Sequence, residues 1–195
     1  MAMKATYAVK FRRRREGRTD YRKRLKLLSS GKIRFVVRRS LNGFWCQFIK
    51  YERNGDKVIA SAHSRELRNF GYLAHLGNLP SAYLTGLLAG IKAKEAGVKE
   101  AILDLGLQRS TKGSSLYACL KGALEAGINI PHSPEILPSE ERLSGAHIAA
   151  YAKALKEEDP KKYERQFSNY LKNGFDPMKI VEHVEKVKER ILRGG

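Results

Sequence analysis

Four consecutive arginines, Arg12, Arg13, Arg14 and Arg15, form the densest chemical signal in the chain. Fully extended, they lie within about 14 Å of one another, a spacing comparable to successive phosphates on one nucleic-acid strand. A guanidinium meets phosphate oxygens through two donors at once and stacks on bases, which an ammonium does less well. The run continues through Arg18, Arg22, Lys23, Arg24 and Lys26, with Thr19 and Tyr21 between them. The Tyr21 ring is suited to stacking on an unpaired base. A solubility tail or a localisation signal is also basic, but the density here favours a polyanion partner.

A second constellation follows. Arg34 and Arg38 fall on the opposite parity to Phe35 and Val37, so they form a basic stripe on one face of a strand, with Arg39 just beyond. The same alternation puts Trp45 and Gln47 opposite Phe44, Cys46 and Phe48, and Ser61 and His63 opposite Ala60 and Ala62. A face of arginines, an aromatic ring and small polar groups suits RNA, whose bases stack and whose 2′-hydroxyls hydrogen-bond. The alternative is that Trp45 covers the second side of the sheet beneath a helix, and the pattern leaves both open. The loop GLQRSTKGSS at residues 106–115 leads into a helix N-terminus, where backbone amides and the helix dipole favour an anion near Lys112. In it Lys112 precedes Gly113, the reverse of a P-loop, so nucleotide hydrolysis is unsupported.

Catalytic chemistry finds little to work with. Asp104 is the only acid at the centre of an expected strand, whereas a nuclease needs several convergent carboxylates for its metal. His63, His75, His132, His147 and His183 are scattered, and Cys46 and Cys119 stand apart in sequence from each other and from any His at ligand spacing. The cysteines read as packing residues, and no metal, cofactor or small-molecule substrate is indicated. A basic DNA-binding regulator would show a helix-turn-helix or zinc module, and neither is visible.

The elements that position these groups follow from periodicity. Residues 1–39 hold fifteen Lys and Arg against Glu16 and Asp20, which is +13 of the total +18. Such a block reads as an arm or an edge that becomes ordered on a polyanion, with the arm itself bounded at residues 1–31. Three strands follow between residues 33 and 63, with Asn42-Gly43 and Asn54-Gly55 expected in two-residue type I′ turns. A helix from Pro80-Ser81 to Gly97 comes next, with Gly86 and Gly90 permitting close packing. A short strand at 101–105, a second helix through Leu116 and Leu124, and a strand at 128–130 complete a βαβ unit. The fold class is therefore α/β, a mixed sheet of three antiparallel strands plus a βαβ unit, with the core at 32–133. Prolines 131, 134 and 138 mark a boundary before a helical extension at 134–195, where Tyr163, Phe167, Tyr170 and Leu171 stripe one helix and Ile180, Val184, Val187 and Ile191 another. No apolar run approaches the ~20 residues of a bilayer span, no secretory signal is visible, and a soluble intracellular protein is expected.

Read in order, RRRREGRTDYRKRLKLL (12–28), IRFVVRRS (33–40), SAHSREL (61–67) and PSAYLTGLLAG (80–90) resemble the archaeal form of large-subunit ribosomal protein eighteen. The likeness continues through AILDLGL (101–107), ALEAGINIPHS (123–133) and GAHIAAYAKAL (145–155). The resemblance implies a ribonuclease-H-like topology without the catalytic acids, and a structural rather than enzymatic role in the cytoplasmic large ribosomal subunit. It implies 5S rRNA and 23S rRNA as partners, neighbouring large-subunit ribosomal proteins beside them, and no membrane. By matching motifs, RNA contact is expected at Arg12, Arg13, Arg14, Arg15, Thr19, Tyr21, Arg22, Arg24, Arg34, Arg38, Ser61, His63 and Ser64. Lys112 joins them from the loop argument.

Overall fold

The computed structural model describes residues 8–194. The chain starts with a single helical turn, α1 (Arg12–Arg15), and a longer helix, α2 (Tyr21–Leu28), whose first turn is capped by the Asp20 carboxylate accepting from the Arg22 and Lys23 amides. Strands β1 (Arg34–Arg39), β2 (Phe44–Glu52) and β3 (Gly55–His63) form an antiparallel meander. Strand β4 (Ile102–Asp104) lies parallel to β1, so the four-stranded mixed sheet runs β3-β2-β1-β4. Alternation dictates its inner face: Phe35, Val37, Phe44, Cys46, Phe48 and Ala62 are all fully buried there. Helices α3 (Leu79–Glu95) and α4 (Ser115–Glu125) pack over that face.

Two details of the sheet depart from expectation. Among the described residues none other than glycine has a positive φ, so neither Asn42-Gly43 nor Asn54-Gly55 makes a type I′ turn. The first link spans residues 40–43, closed by the Ser40 amide donating to the Gly43 carbonyl at 2.8 Å. In the second, the register jumps from Phe48↔Ala60 to Ile49↔Val58, so the extra residue Ile59 shifts the end of the hairpin by one and leaves Arg53 and Asn54 as the turn. The expected fifth strand at 128–130 shrinks to one parallel bridge, Glu100↔Asn129, held by the Ala101 and Asn129 amides. Gly127 and Pro131 bracket only three residues there, and proline has no amide with which to extend the ladder.

Helices α3 and α4 touch backbone to backbone. A Cβ on Gly86 would sit 2.0 Å from the Cys119 carbonyl oxygen, and one on Gly122 2.2 Å from that of Tyr83. The same crossing brings Cys119 up to Cys46, two thiols that are remote in sequence, adjacent in the core and unbonded. Burial, reinforced by the neighbouring Cys46, pushes the Cys119 thiol well up, which keeps it protonated and inert.

The C-terminal residues build α5 (Glu140–Ser144), α6 (Ala146–Glu158), α7 (Pro160–Gln166), α8 (Ser168–Lys172) and α9 (Ile180–Arg193). Asp159 caps α7 by accepting from the Lys162 amide, with Pro160 at the first helical position. On α9, Ile180, Val184, Val187 and Ile191 are buried in the same continuous core as the sheet residues. The other stripe is shorter than expected: the helix breaks at Phe167, and Leu171 turns out to solvent at 41% exposure. Polar links reinforce the apolar seam. His183 accepts the Leu73 amide at 3.0 Å, and Arg190 donates to the Phe70 carbonyl at 3.0 Å. Burial, and then the charges of Arg190, Lys186 and Arg68, hold the His183 pKa below its ordinary value, in keeping with a neutral acceptor ring. Among the described residues no helix is long and apolar enough to cross a membrane.

The helix crossing gives a direct test. Gly86→Ala must push α3 off α4, at about 3 kcal/mol, the upper end of the overpacking range. Thermal unfolding should show that loss, while Gly97→Ala, at a helix end with nothing nearby but φ +79, should show only its local backbone strain.

Candidate nucleic-acid interface

The sheet's outer face is organised in rows set by the register. One row runs Arg38, Trp45, His63; the next runs Asp104, Val36, Gln47, Ser61; the third runs Ile102, Arg34, Ile49, Val58. Helix α2 is tied to this face by Arg24, which donates to the Asp56 carboxylate at 2.9 Å. Arm and sheet together enclose a cleft of about 900 Å³. Six cations line it, Arg13, Arg18, Lys23, Arg24, Lys26 and Arg38, against three acids, Asp20, Asp56 and Asp104.

Those acids are already engaged. The Arg34 guanidinium donates to Asp104 at 3.0 Å and to Asp56 at 2.8 Å. Arg38 donates to the Asp104 carboxylate at 3.1 Å and to the Asp104 carbonyl at 2.7 Å. Gly106 permits this: its φ is +61, and a Cβ there would meet the Arg38 guanidinium carbon at 2.9 Å. Burial works against an ionised Asp56, but Arg24 and Arg34 outweigh it and hold its pKa below the ordinary carboxylate value. The cations left unmatched face the cleft.

The sequence-predicted residues separate into distinct positions. Arg34 lies on the expected parity, yet it is 3% exposed and does not form a surface stripe, because Asp56 and Asp104 close on its guanidinium. Ser64 is likewise buried, its hydroxyl accepting the Phe44 amide at 3.1 Å and pinning the start of β2. The Arg12–Arg15 run is a helical turn and not an extended row, so its guanidiniums radiate at ~100° intervals. Arg13 donates to the Thr19 hydroxyl at 2.9 Å, and Arg12 and Arg18 flank Glu16. Arg14, Arg15 and Arg22 are exposed with no ion pair among the described residues. Tyr21 packs its ring against Phe11 at 5.1 Å. Ser61 and His63 are half-buried on the outer face, and the His63 Nδ1 accepts the Arg65 amide. Lys112 is exposed, pairs with Glu135, and does not line the cleft.

Trp45 is 49% exposed, so its ring points outward and is not buried beneath the described helices. What sequence reasoning missed are Asp56 and Asp104 as counter-ions. The lone acid within the apolar run at 101–105 was their one visible signal. Among the described residues no group of three or more His, Cys, Asp or Glu could hold a metal ion.

Comparison with known proteins places the chain by its sequence. The family model described as "Ribosomal large subunit proteins 60S L5, and 50S L18" matches residues 5–97 and 89–133. The large ribosomal subunit protein uL18 of Methanococcus maripaludis is 56% identical over 192 residues, covering 98% of this chain and 99% of the relative.

Two outcomes follow from the ion-pair cluster. Arg34→Ala opens a buried pair and should cost about 3 kcal/mol, the low end of that range because Arg38 still faces Asp104. For a chain of this length the melting midpoint should then fall by ~6–12 °C. Because the Asp56 pKa is depressed by folding, its hold on α2 is present above the unfolded carboxylate value of ~3.9 and is lost as pH falls through the lower folded value. Amide exchange in α2 should therefore stay slow down to about that pH and quicken below it, whereas in Asp56→Asn it should be fast at pH 7 as well.

Proposed function

The chain belongs to the family of ribosomal large-subunit proteins that includes uL18, structural proteins and not enzymes, and on that premise we propose that it binds 5S rRNA and helps fasten it to 23S rRNA at the central protuberance. The observation that carries this reading is the cleft between arm and sheet. Asp56 and Asp104 are neutralised by arginines and Asp20 is taken up as the α2 cap, so the cations around the cleft are in excess and can draw in a polyphosphate backbone.

In this reading Arg12, Arg13, Arg14, Arg15 and Arg22 contact phosphates. Thr19, Tyr21, Arg24, Arg38, Ser61 and His63 line or border the bound strand, and Lys112 meets a separate phosphate. Arg34 and Ser64 act from beneath, by holding the surface in shape. The division into an arm at 1–31, a core at 32–133 and an extension at 134–195, and the ribonuclease-H-like topology, belong to the same proposal. So do cytoplasmic ribosomes as the location and neighbouring large-subunit proteins as further partners.

Salt dependence separates the contributions. Replacing Arg12, Arg13, Arg14 and Arg15 together by Ala should lower the slope of log affinity against log salt by roughly 3 to 4 units, at about 0.7 to 0.9 per phosphate. Arg38→Ala should lower it by about one unit but remove a larger share of the preference for 5S rRNA over a control hairpin, because a fixed surface reads shape. An unchanged slope in the quadruple variant would return the arm to a targeting or solubility role. RNA recovered from native complexes should be a discrete species the size of 5S rRNA; heterogeneous nucleic acid in its place would overturn the assignment.

A further inference from the structure

We propose that Trp45 is a stacking platform for a single unpaired base, the point at which the outer sheet face reads single-stranded rather than duplex RNA. The inference rests on the RNA reading above and adds to it a residue and a ligand class. A lone exposed aromatic ring is ordinary in a soluble protein and needs no explanation by itself. What distinguishes Trp45 is its setting.

The chain's only tryptophan sits at the centre of a cross-strand row, with Arg38 directly opposite on one side and His63 on the other. Buried Phe44 and Cys46 on either side in sequence fix its backbone, so the indole stands on a rigid strand and not on a loop. His63 meets it at 5.1 Å with planes 81° apart, an edge contact that orients the indole without a ring lying flat on it. His63 is itself anchored, its Nδ1 accepting the Arg65 amide at 3.0 Å. A neutral ring held that way presents its other nitrogen as a donor, suited to a base edge or a 2′-hydroxyl.

An apolar protein partner would want a contiguous apolar patch. The other exposed hydrophobic groups of this face, Val58 and Tyr51, lie further along the strands, beyond the row that carries polar Gln47 and Ser61. One ring, in a row headed by Arg38 and beside a hydrogen-bonding imidazole, matches one nucleotide: the ring takes the base, and the exposed part of Arg38, whose guanidinium turns to Asp104 on β4, lies on the phosphate side.

Because the chain holds one tryptophan, its emission reports this residue alone. The full-length protein is titrated with transcribed 5S rRNA and, separately, with a fully paired RNA duplex, and complex formation is followed by gel retardation. The expected result is that 5S rRNA quenches the indole and shields it from acrylamide in step with complex formation, while the duplex is retarded without quenching. Trp45→Leu should weaken 5S binding roughly 5- to 150-fold, the range for losing one stacked base, and leave duplex binding unchanged. Trp45→Tyr keeps an aromatic face and should retain most of the affinity, which guards against a folding artefact in the leucine variant. Retardation of 5S rRNA with unaltered emission, or wild-type affinity in Trp45→Leu, would overturn the platform while leaving the RNA reading intact. Failure of both RNAs to form a complex would remove the two together.

Discussion

A guanidinium buried under the outer face of the sheet joins more of this molecule than any other group. Arg34 rises from β1, reaches Asp104 on the neighbouring β4 and Asp56 at the start of β3, and Asp56 in turn holds Arg24 of the arm. Three strands and the arm therefore share one charge network, most of it screened from solvent. Such a network costs desolvation, and it is stable only while its acceptors are matched to its donors. Within it the Arg34 Nε is buried without a hydrogen-bond partner. Remove the guanidinium and two carboxylates lose a charge that neutralises them in a place water barely reaches.

That arrangement also decides what the surface can do. An acid at the centre of a mixed sheet would, with companions, hold a catalytic metal. Here Asp104 faces Arg34 and Arg38 instead, and Asp56 faces Arg24 and Arg34, so the carboxylates complete ion pairs and stand far from the electronegative cluster a divalent ion requires. Neutralising them leaves the remaining lysines and arginines of the cleft as a net positive field. The proposed RNA contact rests on that field, with fixed groups such as Arg38 and the row it heads as the proposed source of finer discrimination.

The inner face serves a different end. Glycines at the α3–α4 crossing let two backbones meet directly, and the α9 stripe seals the far side of the same core. The Lys188 ammonium caps this seam by pairing with Glu125, to which the Tyr83 hydroxyl also donates. Burial disfavours the charged lysine, but Glu125 and Tyr83 more than compensate and hold its pKa above the ordinary lysine value. A rigid inner half is what allows the outer face to present side chains at fixed spacing.

Much of this was legible in the residues alone. Alternation at Phe35 and Val37, at Phe44, Cys46 and Phe48, and at Ala60 and Ala62 determined the three strands and which parity faces the core. Prolines 80 and 160 marked where α3 and α7 begin, and the arginine run marked the N-terminal segment as the most basic part of the chain. These are local properties, set by periods of 2 and 3.6 and by backbone chemistry. Tertiary structure alone decided the rest. Parity assigned Arg34 to the outer face, but its burial depends on acids 22 and 70 residues away. The meeting of Cys46 with Cys119 depends on a helix crossing, and the second turn depends on where β3 takes up an extra residue. Ser64 became a buried strut because the Phe44 amide, twenty residues earlier, needed an acceptor. A sequence pattern states which way a side chain points; what stands over it is settled only when distant segments close on one another and their charges and hydrogen bonds must be matched.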